Sequence, residues 1–515
     1  MCSDVVVDGC EFFNFDYNAC TFTRSVNTKL TNSTIRKSDG AGAAAVFVNN
    51  GTVGANITQC YISSATNGVV IGGTNGVSTY TNISDNVVYG VSQSPITATP
   101  LSDFTSINNN MVESSNLFVS FQDGISVNGF NASVTNNTIV GSHRYAISAQ
   151  AKASFGSCSY VISNNQMRNI VSTASSDVGI YVANDSAGGS IIDSLIMSDN
   201  NIDGSPDIHM QVFSTGGNIK NVSITGNVTN DNATDTGILL KTAGAYTITD
   251  AIVRGNIVKA ADTVPAIRLF GLTTSLISRV LICDNSVMGG LSGVQLDYTA
   301  DVTMRNNTIM LNIPTGSGMF TQATTVVTVT TATAHGLVVG DYIDLTAPTV
   351  TTGGIIAGYR FVVLTVPTAT TFTLGAGSAT VATATAISWT KPRSKYAIDS
   401  NTVRCSLDRT DSMPVHILGT TTSAYPYKVF AEDDWVYSSC AVAVNILLPV
   451  ATQFPGREIK FKTYSALAMN SLTSNIAEYN SQTANTNAIV PATAAWWAVI
   501  KSNGSVWQKI NRGMQ

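Results

Sequence analysis

Along this chain, short apolar stretches rich in β-branched residues alternate with turns rich in Asn, Ser, Thr and Gly, and one phrase keeps returning: an Asn followed two places later by Ile or Val. Clear copies begin at Asn86, Asn110, Asn137, Asn256, Asn285, Asn307 and Asn401, with weaker ones at Cys10, Ser33, Cys60, Asn165, Asn200 and Asn227. Three places before each of these thirteen stands an aliphatic residue or Met: Val7, Leu30, Ile57, Ile83, Ile107, Val134, Ile162, Met197, Ile224, Val253, Ile282, Met304 and Ile398. Two places after, the residue is apolar in twelve, with Thr229 the exception. From Cys10 to Asn307 the spacing is 22 to 35 residues. Such a period, with strand-like segments and no helical 3.6 pattern, predicts an all-β right-handed parallel β-helix. Each coil adds one residue to every column, about 4.8 Å above the last. The apolar columns fill the interior. The Asn column is expected in a turn, where Asn tolerates left-handed backbone and its amide can bond the next Asn. An antiparallel sandwich would need turns about every 8–12 residues, which fixed columns at this longer period disfavour.

A second column, mostly preceded by Gly or Ala, marks the next strand of each coil: Val69, Ile125, Ile147, Ile180, Ile208, Ile238, Ile267 and Val294. The last gap, from Asn307 to Asn401, is 94 residues, which predicts an inserted module. The expected organisation is a β-helix over 1–313, a small inserted β domain over 314–394, a last coil over 395–410 and a C-terminal β domain over 411–515, for trimerisation or carbohydrate binding. Pro314-Thr-Gly-Ser-Gly318 and Lys391-Pro-Arg-Ser394 read as linkers around the insert.

Composition narrows the partners. Only 11% of residues are charged, against about 25% in an average soluble domain. A net charge of −5 leaves no basic footprint for nucleic acid. No apolar run is long enough to span a membrane, and the start carries no basic and apolar leader, so the chain is expected to be made in a cytoplasm. The eight Cys are scattered without metal or redox spacing. Neither metal nor cofactor is expected.

Two segments carry a family resemblance. Ala334-His-Gly-Leu-Val-Val-Gly-Asp341, Gly358-Tyr-Arg-Phe-Val-Val363 and Thr370-Thr-Phe-Thr373 resemble a β module found in phage tail proteins. Val442–Pro449, Phe454–Phe461 and Trp496–Trp507 resemble the C-terminal β domain of phage tail spikes and fibres. With the repeats, the resemblance is to bacteriophage tailspikes. It implies a homotrimer on the virion that recognises, and often cuts, a bacterial capsule or O-antigen polysaccharide, joined to the tail through a tail or baseplate adaptor protein. Trp496, Trp497 and Trp507 are expected to bury apolar faces between chains, or else in their own core. His335 is expected to be a turn residue.

Hydrolysis of a glycosidic bond needs two carboxyl groups. Asp123, Asp177 and Asp235 lie two or three residues before second-column positions and are the candidate catalytic acids. Two coils separate Asp123 from Asp177, and likewise Asp177 from Asp235, about 9.5 Å, the upper limit for an inverting pair. Glu113 is an equal candidate if the site lies between subunits. Glu113, His143, Arg144, Tyr145, Tyr181 and Arg268 are the expected substrate-binding residues, supplying hydrogen bonds and aromatic platforms. Long segments at 113–123, 149–158, 172–177 and 184–194 are expected to wall a groove. Each Asp also reads as an ordinary turn residue. A lyase ranks below a hydrolase, because no adjacent acid cluster with a matching Arg occurs. The alternative function is a receptor-binding spike without catalysis.

Overall fold

The computed structural model describes residues 2–514 except 39–43, 74–75, 115–122, 142–143, 152–155, 172–176, 186–189, 231–232, 348–358, 408–412, 418–425, 439–442, 465, 473–475, 479–483 and 493–495. It divides into two compact units, Met1–Met310 and Leu311–Gln515.

The first unit is a parallel β-helix. Each coil sends one strand to each of three parallel sheets, and every strand pairs with its counterpart one coil on. Register in the first sheet stacks Val7, Leu30, Ile57, Ile83, Ile107, Val134, Ile162, Met197, Ile224, Val253, Ile282 and Met304, the whole of the expected column within this unit. All but Val7 are buried. At the sheet spacing, twelve coils make a rod roughly 50 Å long.

The turn between first and second sheets is tied by buried amides. The side-chain N–H of Asn86 donates to Asn110 Oδ1 at 3.0 Å, and the chain continues through Asn137, Asn165, Asn200, Asn227, Asn256 and Asn285 to Asn307. Each of these amides also donates to a first-column carbonyl of the coil before, as Asn137 does to Ile107 at 3.0 Å. The ladder residues are not themselves left-handed. That conformation falls one place earlier, on Asp85, Asn109, Asn136, Asn164, Asp199, Asp284 and Asn306. Asn401 is exposed and bonds locally to Asp399.

The second column is corrected at one coil. Register runs Val69, Ile96, Ile125, Ile147, Ile180, Met210, Ile238, Ile267, Val294, so Met210, not Ile208, occupies the interior. The residue before each also points inward: a Cβ on Gly124 would lie 2.8 Å from Ile139, and one on Gly237 would lie 2.3 Å from Val258. Two successive inward residues turn the strand, so Tyr145, Val178 and Ile208 emerge on the outer face. There they cluster with Leu239, apart from the interior core.

In the second unit two cores form. Phe320, Val327, Ile343, Phe361, Phe372, Leu374 and Trp389 fill one. Val436, Ile446, Ile459, Phe461, Ile489, Ile500 and Trp507 fill the other. Trp507 is fully buried in its own chain, its indole N–H donating to the Pro449 carbonyl at 2.8 Å. It is therefore a core residue rather than an inter-chain contact. Trp496 packs on the same core, while Trp497 is half-buried. His335 accepts the Leu337 N–H through Nδ1 at 3.0 Å and meets the Phe372 ring edge-on, which makes it a turn residue.

Candidate functional site

The outer face of the third sheet collects most of the candidates. Strand Asp123–Val127 is followed one coil on by Tyr145–Ala151 and then by Val178–Asn184. Because the strand turns at its small inward residue, Asp123 and Tyr145 sit in register at the start of this face. Tyr145 stacks on Tyr181 with ring centres 4.3 Å apart and planes 14° apart. The Arg144 guanidinium lies 4.5 Å over the Tyr145 ring. Burial works against the Arg144 charge, yet the Tyr145 hydroxyl, Asp123 and Tyr181 hold its pKa above the ordinary value. Burial also pushes the Tyr181 phenol up, helped by Tyr145. The face thus opens with a carboxylate, a guanidinium and two stacked phenols.

It continues for several coils. Phe213, Lys241, Phe270 and Asp297 are in register, as are Tyr181, Gln211, Leu239, Arg268 and Gln295. The Lys241 ammonium lies between Phe213 and Phe270, 5.1 and 5.8 Å from their ring centres. Arg268 covers Phe270 at 4.5 Å and pairs with Asp297 at 2.9 Å, while the Gln295 amide donates to both Asp297 oxygens. From Asp123 to Asp297 the face crosses six strand spacings, about 29 Å.

The acids sit at the N-terminal edge of this sheet. Asp123 lies one coil before Arg144 and Tyr145, and Asp177 one coil after them. Backbone bonds from Val178 to Arg144, from Ile208 to Asp177 and from Thr236 to Asp207 line up Arg144, Asp177, Asp207 and Asp235. Asp177 is buried, Asp207 half-buried and Asp235 exposed. Asp207 Oδ1 accepts from the Thr234 hydroxyl at 2.8 Å. Asp207, which the sequence reading lacked, stands one strand spacing from both Asp177 and Asp235. Glu113 belongs to the second sheet, between Tyr89 and Val140, and is not on this face. His143, most of 113–123 and 172–177, and the middle of 149–158 and of 184–194 lie outside the described residues; the ends of the last two segments belong to strands.

No family model matches the chain, and no curated protein matches it. Several solved structures are similar. The chain is similar to a phage tailspike. A mutant tailspike protein of E. coli bacteriophage HK620 in complex with pentasaccharide is 12% identical at a TM-score of 0.35, covering 72% of this chain and 75% of that one. A double mutant of the same tailspike, also in complex with pentasaccharide, is 13% identical at a TM-score of 0.32, covering 75% and 74%. The fold assignment rests on the strand register described above.

Besides Asp207, sequence reasoning missed Phe213, Lys241 and Phe270. Their signal is the third position after each second-column residue. It was hidden in the coil of Met210, because Ile208 mimics the column two places early.

Proposed function

We propose that the chain is a phage tailspike whose third-sheet face binds and hydrolyses a bacterial surface polysaccharide. The observation that carries this reading is the continuous outer face of Tyr145, Tyr181, Phe213 and Phe270 interleaved with Arg144, Lys241 and Arg268, bordered by carboxylates. Rings offer apolar platforms to the C–H faces of sugars, and charged groups offer hydrogen bonds to their hydroxyls. A face about 29 Å long suits a polymer held along the rod, hence internal cleavage.

In the mechanism proposed, the buried Asp177 carboxyl gives its proton to the glycosidic oxygen as the C–O bond breaks. Asp123, beside Arg144, takes a proton from the water attacking the opposite face of the sugar. Their two-coil separation, about 9.5 Å, is the inverting geometry. Asp207, one coil from Asp177 at about 4.8 Å, is the alternative partner, and that spacing fits a retaining pair. Two further copies of the chain and a tail adaptor complete the proposed assembly on the virion.

The test is to incubate the protein with polysaccharide from the host it recognises and to follow products by mass spectrometry and NMR. Oligosaccharides whose first-formed anomer is inverted are expected. Asp177→Asn should lower turnover at least a thousandfold while leaving binding within about threefold. Binding without any fragments would leave the non-catalytic receptor-binding spike standing instead. Retained anomers would assign Asp207 in place of Asp123.

A further inference from the structure

A second surface of the same chemical type lies in the C-terminal domain. Strand Asp433–Ser438 pairs with Glu458–Thr463, setting Trp435 opposite Lys460 and Tyr437 opposite Lys462. Val436, Ile459 and Phe461 alternate onto the other face and are buried in the core. Trp435 and Tyr437 therefore face outward, and Tyr464 extends their row. Trp435 and Tyr437 have ring centres 5.4 Å apart and planes 20° apart; Tyr437 and Tyr464 are 6.2 Å and 19° apart. Trp435 is 37% exposed and Tyr464 50%. The Lys460 ammonium lies 4.5 Å from the Trp435 ring centre, and that of Lys462 lies 4.6 Å from the Tyr464 ring centre. Trp497 stands opposite Lys462 on the next strand.

Three near-parallel rings in a row on a rigid sheet, facing water, do not serve the core behind them. Their apolar faces and rims match flat, hydroxylated partners with C–H faces, and a cation held against each end of the row adds attraction for negative charge. We propose that this row is a non-catalytic binding site for an acidic polysaccharide, its sugar rings against Trp435, Tyr437 and Tyr464 and its carboxylates at Lys460 and Lys462. This rests on the reading that the chain engages surface glycans, and adds an anionic class of ligand at a separate place. Single-stranded nucleic acid also stacks on aromatic rows beside cations. A chain of net charge −5 whose row carries only two lysines lacks the basic footprint of a polyphosphate binder, which favours a carboxylated glycan.

Affinity electrophoresis of the full chain through gels containing alginate, dextran or single-stranded DNA tests the assignment. Alginate, a polyuronate, is expected to retard the protein, less so as salt is raised, while neutral dextran leaves mobility unchanged. Trp435→Ala should weaken alginate binding tenfold or more, and Trp435→Phe should restore most of it. Lys460→Gln with Lys462→Gln should remove most of the salt dependence. Melting curves identify any variant that fails to fold. Absence of retardation by alginate, equal retardation by dextran, tighter binding of DNA, or folded variants that bind like the parent would each overturn the site. Cleavage by the third-sheet face is read separately. A chain that binds alginate yet cuts nothing removes only the hydrolase reading, and one that cuts its polysaccharide but ignores alginate removes only this one.

Discussion

At the scale of single residues, the Asn ladder shows how a polar side chain can belong inside a solenoid. Asn165 donates to the Val134 carbonyl and to Asn200 Oδ1, and accepts from both the backbone and the side chain of Asn137. Replacing it with Leu leaves buried groups of Val134 and Asn137 without their partners, at about 1–3 kcal/mol each. Asn165→Leu should therefore lower unfolding free energy by about 2–6 kcal/mol in urea titration, whereas Asn136→Gly, at an exposed left-handed site, should stay within about 0.5 kcal/mol of the parent. A loss under 1 kcal/mol for Asn165→Leu would show that the ladder decorates the turn without holding it. The column and its ladder were legible in the sequence because each coil repeats the same demand at the same place. Thr229, the one polar residue in its column, was legible as an exception and not as a cause. The coil below supplies the cause. His209 occupies the inward slot filled elsewhere by Gly124, Ala146, Gly179, Gly237 or Ala266. The slots of Gly179 and Gly237 abut Ile202 and Val258, one coil on; the same step from His209 reaches Thr229. The smaller Thr leaves room for the imidazole, and its hydroxyl accepts the Lys259 N–H at 2.8 Å.

At the scale of elements, the strand register explains what could not be read ahead of time. A regular strand alternates inside and outside, so any interior column also fixes the outer face. Two successive inward residues in the third sheet break that rule, and the outward positions before and after the turn no longer share a parity. Ile208, read as the column residue, hid Asp207, which lies three places before Met210 as Asp177 lies three before Ile180; Phe213, Lys241 and Phe270 keep regular alternation, one outward position beyond those marked by Tyr181 and Arg268. The second unit has a different electrostatic character. Arg360 is paired with Asp344 at 2.7 and 2.9 Å, and Tyr427 donates to Asp433 Oδ2 at 2.6 Å. Arg457, half-buried, donates to the Phe430 and Asp433 carbonyls, and Glu432 accepts from Lys395 and Ser394. Burial pushes the carboxyls of Glu432 and Asp433 above their ordinary values of 4.5 and 3.8. The folded unit then holds protons that the unfolded chain has released, so these two groups add stability as pH falls through the window just above those values. Asp8, Asp250 and Asp284 of the β-helix go the other way. Hydrogen bonds from Thr31, Arg279 and Asn306 hold them below 3.8, and their contribution is lost as pH falls through their lowered values. Calorimetry from pH 7 to pH 4 should raise the transition of the second unit relative to that of the first. Asp433→Asn should flatten the shift, and a parallel fall of both transitions would reject this assignment of the buried acids.

At the scale of the whole molecule, the outer face of the second sheet bears on assembly. Phe13, Tyr61, Tyr89, Met111, Ile257 and Met310 are all exposed there, on strands spread along the β-helix. Val87 lies in register between Tyr61 and Met111, and Met288 beside Met310. Exposed apolar patches beyond a few hundred Å² mark contacts with other molecules. These residues fall in two groups, on the early and the late coils, with Thr138, Gln166 and Asn201 in register between them; another copy of the chain in parallel covers both groups at once. A threefold arrangement lets every copy cover and be covered without leaving an open end. It would also bring Glu113, set between Tyr89 and Val140 on this face, against a neighbouring copy. Light scattering on the purified protein should therefore report three times the 54.0 kDa chain mass. Tyr89→Lys combined with Met111→Lys, both on solvent-facing positions that leave the interior columns intact, should shift the population toward single chains. If the parent protein ran as a monomer at micromolar concentration, or if the double variant kept the full assembled mass, the second sheet would not be the contact, and the exposed aromatic residues along it would need another partner.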